Sequence, residues 1–420
     1  MMSSFGTQGR ARQLAARAAA EEAAHPAQTT AAQAESQARL QILIESRAIW
    51  SLLFGGMIGL VVGFLVFPGE RPALAGNDDM SIQFYGAVVG GVTAGMAFVV
   101  GWSLNTRMAN LWIGQRPALR QLMDTVSLTV VHSSIAVMAS LGIFRVFQEA
   151  FIGLTVDHIA GSVLVALVGA VSAYFSFNSG ARITAFTLST ILAIFMASGI
   201  LISTLFAENP YWWHVMFSEL GTGQAGTTSF WTFNTTLVVS GVIITTLTAF
   251  ITRDLHVWAD AARAKVGRRL AERRRRAKEG SGKVPLRARV SIRLDGHFWT
   301  PRIGIVRICM IGMGVCLAGV GLIPISLHHD GHVVATAGFA LFFLVLLLGM
   351  PYWLPGFPRS FYLFSYIEAA ALIFSFVLWI PLDYWNLTSM ELVAAAILFS
   401  WLVVFIRNIA AQVERVRTVG

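Results

Sequence analysis

The sequence predicts an all-α bundle that crosses a membrane about ten times, and three observations lead there. Hydrophobic residues make up 55% of the 420 and charged residues only 13%. The mean hydropathy is +0.65. Apolar stretches of about 20 residues recur along the whole chain, and each is long enough to cross about 30 Å of hydrocarbon. The net charge of +9 does not signal nucleic acid, because nearly half of the Lys and Arg fall in one loop between spans. A multi-pass protein uses such a loop for topology and for contact with anionic lipid.

Residues 1–46 form an Ala-rich polar tail, with Arg10, Arg12, Arg17 and Arg39 among Gln and Glu and with Pro26 interrupting. It reads as a cytoplasmic segment, helical in part. The apolar run Ala48–Phe67 and what precedes it are too long for a cleaved signal peptide. The ten span cores are approximately 48–67, 84–104, 126–144, 159–177, 183–206, 230–251, 303–327, 333–354, 361–380 and 391–408. Threading them in alternate directions gathers Arg107, Arg116, Arg120, Arg182, the 253–302 stretch, Arg359, Arg407, Arg415 and Arg417 on one side. Arg71 and Arg145 fall on the other. By the positive-inside rule both termini are cytoplasmic, and the plasma membrane is the expected location.

Small residues line the first spans. Gly55, Gly59 and Gly63 repeat every four residues, and span 2 carries Gly86, Gly90, Gly91 and Gly95. Such ridges let helix backbones approach closely, here within the chain. Cys309 and Cys316 stand seven residues apart on one span, about 10 Å along its axis, too far for a disulfide. They read as small packing residues.

The loop 253–302 has two parts. Leu255, Trp258, Ala262, Val266 and Leu270 recur at helical spacing beside Arg268, Arg269 and the run Arg273–Arg276, an amphipathic basic helix. After "GSG" at 280–282, "LRARVSIRL" at 286–294 alternates strictly, as a strand would, with Leu286, Ala288, Val290, Ile292 and Leu294 on one face. Its apolar face would rest on the bilayer or on the helix, with arginines on anionic head groups. A protein partner for this loop is the alternative.

Short matches suggest an internal duplication. Thr106, Arg107 and Trp112 recur as Thr252, Arg253 and Trp258, and Asp-His pairs precede spans 4 and 8. Spans 1–4 would then match spans 5–8 as a parallel repeat. The chain divides accordingly into the tail 1–46, a first membrane repeat 47–180 and a second 181–420 carrying the basic loop. Two charges fall within spans. Arg307 lies about 6 Å into span 7 and Glu368 about 10 Å into span 9, near the same face, so they could form a buried charge pair, either functional or a structural tie between two helices. His132 is the rough counterpart of Arg307.

In the second half, "YWWHVMFSELGTG" leads into "SFWTFNTTLVVSG", and "GVGLIPISLHHDGHVVATAGFALFF" opens span 8. Through Ser218, Glu219, Leu220, Gly221, Phe233, Asn234, Gly241 and His332, residues 183–410 resemble a six-span bacterial membrane family of unknown function. That family carries a Ser-Asp/Glu-Leu-Gly loop and is distantly like the FRAG/DRAM/SFK membrane proteins. The resemblance implies lipid handling without naming a substrate.

The outer side gathers Asp157, His158, Glu219, His328, Asp330 and His332, the candidate site. His328 and His332 are four apart and would share a helix face. Three readings stand for these residues: helix caps at the head-group boundary, a lipid-binding site, or acid–base or metal chemistry. No third metal ligand is fixed by spacing, so no metal or other cofactor is assigned. No P-loop, Cys-x-x-Cys or Gly-x-Ser-x-Gly motif occurs. The sequence therefore favours a membrane protein that binds or organises lipid through an outward polar site. A lipid-remodelling enzyme of the outer leaflet and a transporter are the alternatives.

Overall fold

The structure is a computed structural model that describes residues 5–76, 81–106, 117–279 and 284–419. Arg107, Trp112, Arg116 and the linker 280–282 lie outside the described residues. Eleven helices and no strand make up the described chain. They are α1 (Phe5–Val66), α2 (Ile82–Gly101), α3 (Ala118–Ala150), α4 (His158–Ala181), α5 (Ala185–Leu205), α6 (Thr227–Glu279), α7 (Leu286–Phe298), α8 (Ile303–Leu322), α9 (His329–Trp353), α10 (Arg359–Trp379) and α11 (Leu387–Val419). All except α7 are long and apolar enough to cross a bilayer. The chain is a multi-pass helical membrane protein.

The loops group at two ends. At one, Ala73 and Thr155 form a single β-bridge between the α1–α2 and α3–α4 connections. At the other, Thr106 donates to Gly180 O at 2.7 Å and accepts from Ile183 N at 3.2 Å, tying the end of α2 to the α4–α5 turn. This second end carries the arginine-rich part of α6 and is called the basic end below; the first is the opposite end.

Apolar side chains gain little by leaving hydrocarbon for one another, so helix association in a bilayer rests on close packing. The first-span glycines do this work. A Cβ on Gly59 would stand 2.6 Å from Val165 O and 2.7 Å from Ala166 Cα, and one on Gly63 would stand 2.5 Å from Ser162 Cα. Only glycine allows α1 to lie so near α4. The same holds between α2 and α4, where a Cβ on Gly180 would stand 2.7 Å from Phe98 O. Between α6 and α8, a Cβ on Gly241 would stand 2.6 Å from Ala318 N. The stripe on α1 thus packs inside the chain.

Helix α4 lies against both α1 and α2, and α2 also lies against α3. Helix α3 reaches across to α5 and α6, so it belongs to both sides of a boundary at residue 180. In the second part α6 is central, packed on α5, α8 and α11, while α9 leans on α8 and α10. The α1–α4 and α2–α4 seams have no matching α5–α9 or α6–α9 seams among the extensively packed pairs, so the pairing does not follow the four-span shift.

Three expectations need correction. The tail is not partly helical; α1 continues without a break from Phe5 through the first span. Its many alanines have the highest helix propensity of any residue. The stretch 286–294 is helical, not a strand. Two-residue alternation becomes a strand only where a neighbouring strand takes up its backbone hydrogen bonds, and α7 instead packs on α6, burying Ile292 while Leu286 and Val290 stay exposed. Arg307 and Glu368 form no ion pair. Arg307 is exposed on α8, and Glu368 accepts from Ser400 Oγ at 2.8 Å on neighbouring α11. Arg307 sits one turn from the basic end of its helix, within reach of head groups by snorkelling.

The glycine seam sets a stability test. Gly59→Ala places a methyl against α4 backbone, and overpacking of this kind costs roughly 1–3 kcal/mol. Gly304→Ala meets no atom within 4 Å. The first should lower the melting temperature in detergent and the second should not. Equal melting temperatures would show that α1 is not held by this seam.

Candidate functional site

The opposite end holds the six residues singled out from the sequence, and the structure distributes them over three places. Asp157 is the N-cap of α4. Its Oδ1 accepts from Ile159 N at 3.0 Å and Ala160 N at 3.1 Å, satisfying donors that the first helical turn leaves open. The Ala160 amide, helped by that of Ile159, holds this carboxyl below the usual carboxylate range. His158 begins α4 and meets the ring of Phe64 on α1 edge-on at 6.2 Å.

His328 plays the same part for α9. Its Nδ1 accepts from Gly331 N at 2.9 Å. His332, one turn on, is buried, and its Nδ1 donates to Ile323 O at 2.9 Å. That bond closes the α8–α9 hairpin. Asp330 is exposed in the first turn of α9, where a negative charge suits the helix dipole. The His328–His332 pair thus shares a helix end, with each Nδ1 engaged in a different bond. Among the described residues no three His, Cys, Asp or Glu side chains gather closely enough to hold a metal ion.

Glu219 is half-buried in a short 3-10 turn, Phe217–Gly221, within the connection from α5 to α6. This connection folds into a compact cap. Glu208 N donates to Ala225 O at 3.1 Å and draws its ends together, and Gly226 turns the chain into α6 with φ of 87°. Asn234 Nδ2 donates to Gly221 O at 2.9 Å, Ser229 Oγ donates to Leu220 O at 3.0 Å, and Phe217 meets Phe233 edge-on at 5.3 Å. Of the residues that carried the family resemblance, those from Ser218 to Asn234 therefore form one packed unit, while Gly241 packs on α8 and His332 lies in the α8–α9 hairpin. Outward, Trp213 stacks on His214 at 3.7 Å beside exposed Tyr211, an aromatic group of the kind found at the bilayer surface.

Two anchors of this cap escaped the sequence reading. Phe217 N donates to Glu391 Oε2 at 2.7 Å, and Asn386 Nδ2 donates to Trp213 O at 2.8 Å. Both come from α11 and the turn before it, more than 170 residues away. An acid at the start of the last span was the available signal for Glu391. Near the basic end, buried Asp124 on α3 accepts from Thr246 Oγ1 on α6 at 3.2 Å. His132 bonds Leu128 O and Ser179 Oγ at 2.7 and 2.8 Å and stacks on Phe98 at 4.2 Å. It is a fully bonded packing residue, unlike exposed Arg307.

Two concavities lie on the sides of the bundle. A groove of about 770 Å³ runs between α2 and α3, lined by Val88, Val92, Met96 and Val137 and opened by Gly91 and Gly95. A second, of about 310 Å³, runs between α1, α2 and α4 on the other flank of α2. Met96 and Val100 border both, so α2 forms the ridge between them. Nothing in the sequence marked these grooves, because each depends on which faces the packed helices turn toward one another.

No protein-family model, curated protein or solved structure matches the chain. The likeness to the Ser-Asp/Glu-Leu-Gly family rests on the quoted residues alone.

The cap tether is testable. Glu391→Ala removes the acceptor of a backbone amide, a loss of about 1–3 kcal/mol where the amide is shielded from water. Amide exchange across 211–222 should accelerate in Glu391→Ala and much less in Glu391→Gln, whose side-chain oxygen still accepts. Unchanged exchange in both would mean that the cap is held without α11.

Proposed function

We propose that this protein binds or organises membrane lipid, and that it does so from its bilayer-facing flanks. One observation carries the reading: the open groove of about 770 Å³ between α2 and α3, whose wall is mainly aliphatic. Its exposed border, Val88, Val92 and Met96, faces the side of the bundle, where the surrounding medium is hydrocarbon.

The outer polar residues give the same function less support. Asp157, His328 and His332 commit side-chain atoms to helix caps and a hairpin bond, which leaves fewer groups to meet a head group. The lipid-remodelling alternative draws on the same residues and weakens with them. The basic end, by its arginines, belongs on the cytoplasmic side of the plasma membrane. Cysteines placed at Lys278 and Ser326, in a chain lacking Cys309 and Cys316, should be shielded and labelled respectively by an impermeant thiol reagent on intact cells. The reverse pattern overturns the orientation.

Lipid binding predicts that protein extracted in a mild detergent and examined by native mass spectrometry retains lipid after annular lipid has been stripped. Val92→Trp fills the α2–α3 groove from its exposed side and should lower the retained lipid several-fold without changing the melting temperature. Equal retention by wild type and Val92→Trp would remove the groove from the proposal.

A further inference from the structure

The smaller groove differs from the larger in one respect: it has a cation at one end. It is bordered along α1 from Arg47 to Ile58 and along α2 from Leu104 to Thr93. Each border is twelve residues long, eleven steps or about 16 Å at the helical rise of 1.5 Å per residue. The hydrocarbon core is about 30 Å thick, so the groove is one leaflet deep. It begins at the basic end and stops near the midplane.

The interior offers nothing for a polar solute to bind. The hydroxyl of Thr93 already donates to Val89 O at 2.8 Å and reaches Gly169 O at 3.2 Å. The hydroxyl of Ser51 donates to Arg47 O at 3.1 Å. The rest of the wall is glycine, alanine, aliphatic and aromatic. At the mouth, Arg47 is exposed and makes no ion pair among the described residues. The nearest acid on its own helix, Glu45, instead accepts from the hydroxyl of Tyr174 on α4. Trp50, 70% exposed, lies one turn further in.

From these features we infer that the α1–α2–α4 groove holds one anionic phospholipid of the leaflet at the basic end. Its phosphate sits on the Arg47 guanidinium, and one acyl chain lies along the groove toward Ile58. The inference rests on the lipid-binding reading above and adds the lipid class, the leaflet and the residue that selects it. A guanidinium presents paired N–H donors that match two phosphate oxygens. The indole of Trp50 suits the level just below the head group, where one end of a ring is apolar and the other wet. Depth selects a chain of one leaflet and the unpaired cation selects negative charge. The surrounding arginines of the basic end enrich anionic lipid at the same surface.

The test uses the full-length protein in detergent, titrated with palmitoyl-oleoyl phosphatidylglycerol or with palmitoyl-oleoyl phosphatidylcholine and read by native mass spectrometry. Wild type should retain phosphatidylglycerol several-fold over phosphatidylcholine. Arg47→Gln should abolish the preference, and Arg47→Lys should restore part of it. Since Arg47 is exposed and bonded to no other side chain among the described residues, both variants should keep the wild-type melting temperature. Ile58→Trp, at the inner end, should lower retention of both lipids in this groove while leaving that of the α2–α3 groove. If Arg47→Gln keeps the preference, or wild type shows none, the inference fails. A dimer that excludes lipid and is dispersed by Ile58→Trp would make the occupant a second copy and would also overturn it. Loss of lipid in Val92→Trp together with an unaltered preference in Arg47→Gln would sink this inference and leave the broader reading standing. No lipid loss in either variant would sink both.

Discussion

The closeness with which helix backbones meet governs this structure. In water, apolar burial would hold the helices together; within hydrocarbon that drive is absent, and contact must come from surfaces that fit. Glycine supplies the fit at Gly59 and Gly63 against α4, at Gly180 against α2 and at Gly241 against α8. A side chain at any of these points would collide with backbone, which has nowhere to go. The seams are therefore fixed in position, and they fix what lies beside them. With α4 packed into both α1 and α2, and α3 into α2, a strip of α2 through Val88, Val92 and Met96 stays exposed between them. The two grooves are the space that this arrangement leaves open.

Polar groups follow a second constraint, that leaving one unpaired inside the bilayer is costly. Helix ends at the head-group boundary meet it with side chains: Asp157 for α4, Ser81 for α2, Thr184 for α5 and His328 for α9. Within the spans, many hydroxyls return to the carbonyl one turn back, as Thr248 and Thr252 do on α6, while the buried hydroxyls of Ser140 and Ser240 make no such bond among the described residues. His132 is satisfied on both ring nitrogens. The histidine-rich turn at 326–334 thus has a structural explanation in large part: one histidine caps, one closes a hairpin, and Asp330 stands by the positive helix end. Arg47 is the contrasting case, a cation at the edge of an apolar groove with no ion-pair partner among the described residues.

Much of the fold could be read from hydropathy alone, because a span declares itself within about 20 consecutive residues. The ten spans and the internal use of the α1 glycine stripe follow from such local patterns. The family-like motif from Ser218 to Asn234 also converged on one cap, since its residues are near in sequence. The failures were of two kinds. At 286–294 a short alternating pattern was ambiguous, and the absence of a partner strand decided for helix. With Arg307 and Glu368, depth along the axis was right but rotation about it was not. With a whole span between the two residues, the sequence does not say which way each helix turns its face. The grooves failed for the same reason, since Arg47, Thr93 and Phe177 meet only after three helices have packed. Glu391 and Phe217 are a further long-range pair of this type.

The most direct measurement is an electron cryomicroscopy map of the full chain in nanodiscs containing phosphatidylglycerol. Elongated density between α1, α2 and α4, with its head resolved at the Arg47 guanidinium and its tail ending near Ile58, is the expected result. A groove that is empty or closed by side chains, with ordered lipid instead at the Glu219–His332 end of the bundle, would contradict the flank-binding mechanism.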